Sequence, residues 1–206
     1  MFARSTTIAT APSLIDPGIT FAQDEILPDV LSTPGCVGLS LLVDHSMSRL
    51  IATSAWQDEE SMLATTESIR PLRDRLVAAV GGSAPIVEEW EIALMHRDHR
   101  SAEGARARVS WLQGEPASID LAVEAFRMIL PSLDALPGFG SASLLVNRPA
   151  GRAVSTATYD SAGALAETRA KANDLRTYVA AETGAEVLEV ADFELAIAHL
   201  RVPEMA

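Results

Sequence analysis

The apolar positions of this chain change period several times, and each change marks an element. Phe2 to Thr10, rich in threonine and isoleucine, predicts a strand that breaks at Pro12 and Ser13. Asp16-Pro17 predicts a helix start, an N-cap acceptor followed by proline at the first helical position. Ile19, Ala22, Ile26 and Val30 then recur at helical spacing to about Leu31. A kink is expected at Pro28, which has no N–H to donate. After Pro34-Gly35, Val37, Leu39, Leu41 and Val43 alternate along a strand from Cys36 to Asp44, and His45 to Ser48 turns it into a returning strand, Arg49 to Trp56. Asp58 is placed to cap a second helix with the stripe Met62, Ile69, Leu72, Leu76 and Val80. Pro71 predicts a kink or a break inside it, Gly81-Gly82 ends it, and Val87 to His96 is a fourth strand.

The pattern then starts again. Ile26 to Trp56 falls on Ile129 to Tyr159 without a gap at a shift of 103 residues: Ile-Leu-Pro, Pro-Gly and Ser-Leu-Leu-Val recur, and Arg49 and Thr53 meet Arg152 and Thr156. The register carries on to Val87, Glu91, Ala93 and His96, which meet Val190, Glu194, Ala196 and His199. The second set of elements is a strand Ala105–Gln113, a helix Ile119–Leu133, a hairpin Phe139–Asn147 and Arg152–Tyr159, a helix from about Ser161 to Ala181, and a strand Glu186–His199. The order βαββαβ, twice, predicts an α+β protein of two ferredoxin-like repeats. The expected boundaries are 1–96, a charged connector 97–104, 105–200 and a tail 201–206. Each sheet has one face for its own helices and another that needs a cover. The other repeat, sheet to sheet, is the cheapest one.

Charge narrows the partners. A net charge of −12 and scattered basic residues argue against nucleic acid or an anionic membrane surface. One cysteine, Cys36, allows no intrachain disulfide or cysteine metal cluster. No apolar run reaches the roughly 20 residues of a membrane span, and the N-terminus lacks a signal-peptide layout. A cytoplasmic protein is expected. Of the histidines, His45 reads as a solvated turn residue, and His96-Arg97-Asp98-His99-Arg100 as connector, its spacing matching no common metal-ligand pattern. His96 and His199 repeat at strand ends, which fits a shared packing role or a general base, since histidine titrates near neutrality. Glu91 and Glu194 also repeat, and either edge into solvent or pair with Arg4, Arg49, Arg108 or Arg152.

Pro28, Pro34-Gly35, the apolar strand, then Trp56-Gln57-Asp58-Glu59-Glu60 and a helix together resemble the antibiotic biosynthesis monooxygenase family of the dimeric α/β-barrel superfamily. The resemblance covers both halves, strongest over Ile26–Met62 and Ile129–Leu165. A tandem form resembles an obligate dimer fused into one chain, which implies a monomer as pseudo-dimer, or a homodimer. The superfamily hosts oxygenases, haem degraders, isomerases and binding proteins. In the haem degraders a first-strand asparagine, a tryptophan closing the third strand and a second-helix histidine surround the haem. Trp56 matches the tryptophan, and Tyr159 stands there in the second half. The asparagine is replaced by Thr6, Thr7 or Ser110, and the histidine by Thr66-Glu67 and Arg169-Ala170. None of these substitutes for an axial imidazole, so no cofactor and no metal are expected.

The family's cofactor-independent oxygenases let the substrate's own anion pass an electron to dioxygen, within an apolar pocket. By that resemblance Trp56 and Tyr159 would stack on a flat ring. Thr7, Ser110 and Thr66 would complete the substrate-binding set, and His96 or His199 would act as base. The expected function is a cofactor-independent monooxygenase acting on a small aromatic or quinol-like compound. The alternative is a non-catalytic protein on the same fold that binds a small hydrophobic ligand or serves another cellular role. The larger pocket is expected beside Trp56, because a helix kinked at Pro71 would stand off its sheet. Ala162-Gly163-Ala164, Ala166, Ala170 and Ala172 would draw the other helix close to its sheet.

Overall fold

The computed structural model describes residues 1–101 and 104–206. Ala102 and Glu103, part of the expected connector, lie outside the described residues. The first half comprises β1 (Phe2–Ala9), a 3₁₀ turn (Pro12–Leu14), α1 (Ile15–Phe21), a π-helical turn (Ala22–Ile26), α2 (Leu27–Leu31), β2 (Cys36–Asp44), β3 (Arg49–Trp56), α3 (Glu59–Ala64), α4 (Thr66–Ala79) and β4 (Ser83–Arg97). The second comprises β5 (Arg106–Gln113), a 3₁₀ turn (Pro116–Ser118), α5 (Ile119–Asp134), β6 (Phe139–Asn147), β7 (Arg152–Tyr159), α6 (Ala162–Glu167), α7 (Arg169–Thr183) and β8 (Glu186–Leu200). The fold is α+β, βαββαβ twice; in the first half β1 pairs with β3 and β4 and β2 pairs with β3, and in the second β5 and β6 both pair with β7.

Two compact units share the chain. One is Met1–Glu91 with Glu194–Val202, the other Ile92–Phe193 with Pro203–Ala206. Long strands β4 and β8 therefore each start in one unit and end in the other. In the first unit Leu39, Leu41, Val43, Leu50 and Trp56 of the sheet bury against Ile26, Met62 and Leu76 of the helices, with Ile197 from β8. Gly38 of β2 lies so close to β8 that a Cβ there would run into the His199 carbonyl. In the second unit Leu144, Val146 and Tyr159 meet Phe126, Ile129, Leu133 and Val179, with Leu94 from β4. Full burial of such side chains contributes roughly 1.5–3 kcal/mol each.

The prolines act differently from their sequence reading. The first helical stretch begins at Pro12, not at Asp16, and the Asp16 side chain caps nothing. Pro12 supplies the preset φ of a first helical position, and Pro17 sits in a first turn whose amides need no helical partner. Pro28 is accommodated by the π turn before it, where the Leu27 amide bonds to the Ala22 carbonyl five residues back. That turn holds one extra residue. β1 and its 3₁₀ turn recur 104 residues later, whereas β2 and every later element recur at 103. Pro71 neither breaks nor splits its helix: α4 runs through it, and the break falls at Thr65. The second half breaks at the equivalent Thr168 with no proline nearby. The shared cause is the threonine hydroxyl, which donates to the Met62 carbonyl (2.9 Å) and, from Thr168, to that of Leu165 (3.2 Å). Asp58 does cap α3, accepting from the Ser61 amide at 2.7 Å, and Ser161 does the same for α6.

The last residues are tied down. The Met205 amide donates to the Met95 carbonyl, and the Arg97 amide donates to Glu204. His96 bridges Glu204 and Asp134, both at 2.8 Å. Burial pushes the His96 pKa down, but the hydrogen bonds and charges of Glu204 and Asp134 more than reverse this, and the net shift is upward from 6.5. Its stabilisation is therefore fully present below the unfolded value and is lost as pH rises through the folded one. An NMR titration should place the His96 midpoint above 6.5, with Glu204→Gln lowering it. The fall in Tm as pH rises through the native midpoint should be smaller in that variant. A native midpoint at or below 6.5 would contradict this account.

Candidate active site

Each half builds the same charged anchor from its first strand. Arg4 on β1 and Arg108 on β5 are buried, 4% and 5% exposed. Arg4 donates to Glu89 (2.7 Å), Thr66 Oγ1 (2.8 Å) and the Met62 carbonyl (3.0 Å). Arg108 donates through Nε and Nη2 to the two oxygens of Asp192 (2.8 and 3.1 Å) and to the Leu165 carbonyl (3.2 Å). Each guanidinium thus joins a strand to the carbonyl exposed where the helix breaks, and a carboxylate neutralises it. The acids are Glu89 and Asp192, not Glu91 and Glu194, because the ladder sets Arg4 directly across from Glu89. Glu194 instead faces His45 at 3.7 Å, and Arg49 faces Asp44 at 3.8 Å.

Beside each anchor a cavity opens between sheet and helices. The larger lies in the second unit and encloses about 860 Å³, its open mouth included. Arg108, Ser110, Phe126, Tyr159, Ala172 and Arg176 are among its walls. The first unit has about 470 Å³, lined by Arg4, Thr6, Ser54, Ile69 and Arg73 among others. The sequence expectation placed the larger pocket beside Trp56, and the structure reverses it. Helix α4 is not broken at Pro71. Ala172 and Val179 stand where the first half has Ile69 and Leu76, and the space they vacate stays open. Small residues left a void rather than drawing the helix in.

The larger cavity is mostly apolar, with Arg108, Arg176 and Glu115 as its charged lining residues. Burial raises the Tyr159 phenol above its ordinary pKa of 10, against the lowering influence of Thr168 and Arg108. Burial and then the neighbouring Arg108 charge lower the pKa of Arg176. Arg176 also donates to Asn173 at 2.7 Å. Tyr159 is 1% exposed. Its hydroxyl and Arg108 Nη1 have no hydrogen-bond partner among the described residues.

Of the residues singled out in the sequence, Tyr159 and Ser110 line the larger cavity. Trp56 is sealed in the first core, its Nε1 donating to Ser54 at 3.1 Å, and it lines neither cavity. Thr7 lines neither: the one-residue offset makes Thr6 the counterpart of Ser110, and alternation turns Thr7 to the other face. Thr66 is held by Arg4. His96 is occupied by Glu204 and Asp134, His199 lies on β8 opposite Leu39, and neither lines a cavity. Sequence reasoning missed Arg176. Its recurrence as Arg73 on the preceding helix was the available signal. Neither cavity is lined by a described histidine, cysteine or methionine. A group of three His, Cys, Asp or Glu side chains able to hold a metal ion is not found among the described residues.

Solved structures share this architecture. An anthrone oxidase-like protein superposes with a TM-score of 0.66 at 13% identity, over 94% of this chain and 90% of its own. A ferredoxin-fold protein of Listeria monocytogenes related to antibiotic biosynthesis monooxygenases gives 0.54 at 10% identity, over 95% and 94%. The fold is therefore that of the antibiotic biosynthesis monooxygenase type, and at these identities the likeness speaks for fold alone. No family model matches the chain. Uncharacterized protein Rv2558 of Mycobacterium tuberculosis H37Rv is 51% identical over 207 residues, across all of this chain and 87% of the relative, and the chain belongs to its family. No described helix is long and apolar enough to cross a membrane.

The anchor has a measurable cost of removal. Asp192→Ala leaves Arg108 buried without its carboxylate and should destabilise by about 2–3 kcal/mol. That is below the roughly 3–5 of a fully buried pair, because Asp192 keeps 28% exposure. Glu67→Ala, which breaks an exposed pair with Arg70, should cost about 0–0.5 kcal/mol. Urea unfolding of the two variants checks the ordering.

Proposed function

We propose that the second-unit cavity binds a small, largely apolar compound of aromatic or quinol-like kind, and that its reaction is cofactor-independent oxygenation. The observation that carries this reading is the open cavity between Tyr159 and Ala172, apolar along most of its walls with Arg108 and Arg176 among them. Tyr159 would pack against a ring, and Ser110 and Arg108 would hold its oxygen. A guanidinium beside a phenol or enol favours the substrate's anion, the species that gives an electron to dioxygen. In an anthrone-like substrate a CH₂ group becomes a carbonyl, one oxygen atom entering the product and the other leaving as water. Trp56, Thr7, Thr66, His96 and His199 have no part in this reading. A cytoplasmic protein acting on a diffusible compound agrees with it.

Binding without catalysis is the second reading. It is favoured by the placement of both repeated histidines outside the cavities, which leaves the pocket without an imidazole base. Oxygen uptake with a panel of anthrones and quinols separates the two. Turnover that Ala172→Ile abolishes, by giving the second half the side chain of the first, supports oxygenation. Binding lost in that variant with no oxygen uptake supports the second reading. Ligand affinity unchanged by Ala172→Ile would show that the cavity is not the site. The variant fills a void, so its Tm should stay within a few degrees of the native value.

A further inference from the structure

The two cavities differ in what their polar atoms are free to do. In the first unit Nε and Nη2 of the anchor go to Glu89, Thr66 and the Met62 carbonyl, and Nη1 is not among the buried atoms left without a partner. Trp56, at the position of Tyr159, spends its one donor on Ser54 inside the core. The donor left over is Arg73 Nε, on a half-buried side chain. In the second unit Asp192 takes Nε and Nη2 of Arg108 with separate oxygens, which leaves Nη1 over. The Tyr159 hydroxyl is left over as well: the Thr168 hydroxyl spends its proton on the Leu165 carbonyl, and it influences the phenol without meeting it in hydrogen-bond geometry. Both groups are more than nine-tenths buried and both line the cavity. They are close enough that the guanidinium charge is felt by the phenol.

A buried donor without an acceptor is costly, and two on residues that line one cavity call for an acceptor brought there by a ligand. Charge selects its kind. Arg176 borders the cavity with Arg108, and its proton affinity is lowered first by burial and then by the Arg108 charge, while Asp192 is shared between Arg108 and Arg169. An incoming negative oxygen relieves that repulsion, and a neutral carbonyl does so only weakly.

We propose that the second-unit cavity takes one small organic acid per chain, its anionic oxygen seated between Arg108 Nη1 and the Tyr159 hydroxyl and its apolar body towards Phe126 and Ala172. This rests on the reading of the cavity as the binding site and adds the ligand's charge, its orientation and the stoichiometry. The oxyanion is a carboxylate or a phenolate, and the two are separable.

The test is calorimetric titration of the full chain near neutral pH with 2-naphthoate, its neutral methyl ester and 2-naphthol. The expected result is one naphthoate per chain, bound at least tenfold more tightly than the ester. Tyr159→Phe should weaken naphthoate about tenfold and leave the ester within twofold. Because that variant deletes only an orphaned hydroxyl, its thermal stability should be unchanged or higher, which a hydroxyl with a structural partner would not permit. Proton release on binding naphthol, abolished in Tyr159→Phe, would assign a phenolate. Naphthoate preference without it would assign a carboxylate. Equal affinity for acid and ester, or two sites per chain, overturns the inference and leaves the cavity as a neutral-ligand site if Ala172→Ile still blocks the ester. Binding of none of the three at millimolar concentration overturns both.

Discussion

A guanidinium inside the protein cannot be left to itself, and much of this structure is arranged around two of them. Arg4 and Arg108 each sit mid-strand under a break between two helices, and each is held by a carboxylate from a long strand and by a carbonyl that the break exposes. Desolvating an arginine is expensive unless charge and hydrogen bonds are supplied in full. The break at Thr65 or Thr168 is therefore more than a helix irregularity: it frees the carbonyl that the arginine needs. Strand, break and acid form one unit of structure, built twice.

The halves diverge in how far that unit is completed. In the first, Thr66 joins the anchor, and Trp56 fills the core with its indole nitrogen satisfied from within. In the second, Tyr159 brings a hydroxyl that the core does not satisfy, and Ala172 replaces Ile69. The first half is closer to a finished core. The second keeps volume and two unsatisfied donors side by side, features that weaken a core and equip a binding site. A fused pair permits this division, since one half can be optimised for packing while its counterpart retains the opening.

Sequence identity with solved structures of this fold is too low to carry chemistry. The chemistry read here comes from this chain's own charges. On the proposed reading an arginine-lined apolar cavity would act by stabilising an anion, which is compatible with oxygenation by a substrate anion and with binding alone.

The repeat, the element order and the fold class could be read in the sequence because they rest on local rules: period two against period 3.6, turn residues, and a gapless shift from Ile26 onward. The cap at Asp58 and the turn at Pro34-Gly35 were legible for the same reason. The π turn was not. An extra residue in a helix leaves the apolar spacing nearly intact, and its effect, placing Thr6 rather than Thr7 opposite Ser110, shows only when the strands are paired. The pairing of Arg4 with Glu89 likewise depended on a strand register that alternation cannot fix. Pro71 and the alanines of the last helix misled on cavity size. Whether small side chains close a gap or leave one depends on what holds the helix at its distance, and that is set by contacts far apart in sequence, the buried arginines among them. Tertiary structure alone decided which of two similar halves keeps the larger cavity, beside the buried Arg108 Nη1 and Tyr159 hydroxyl.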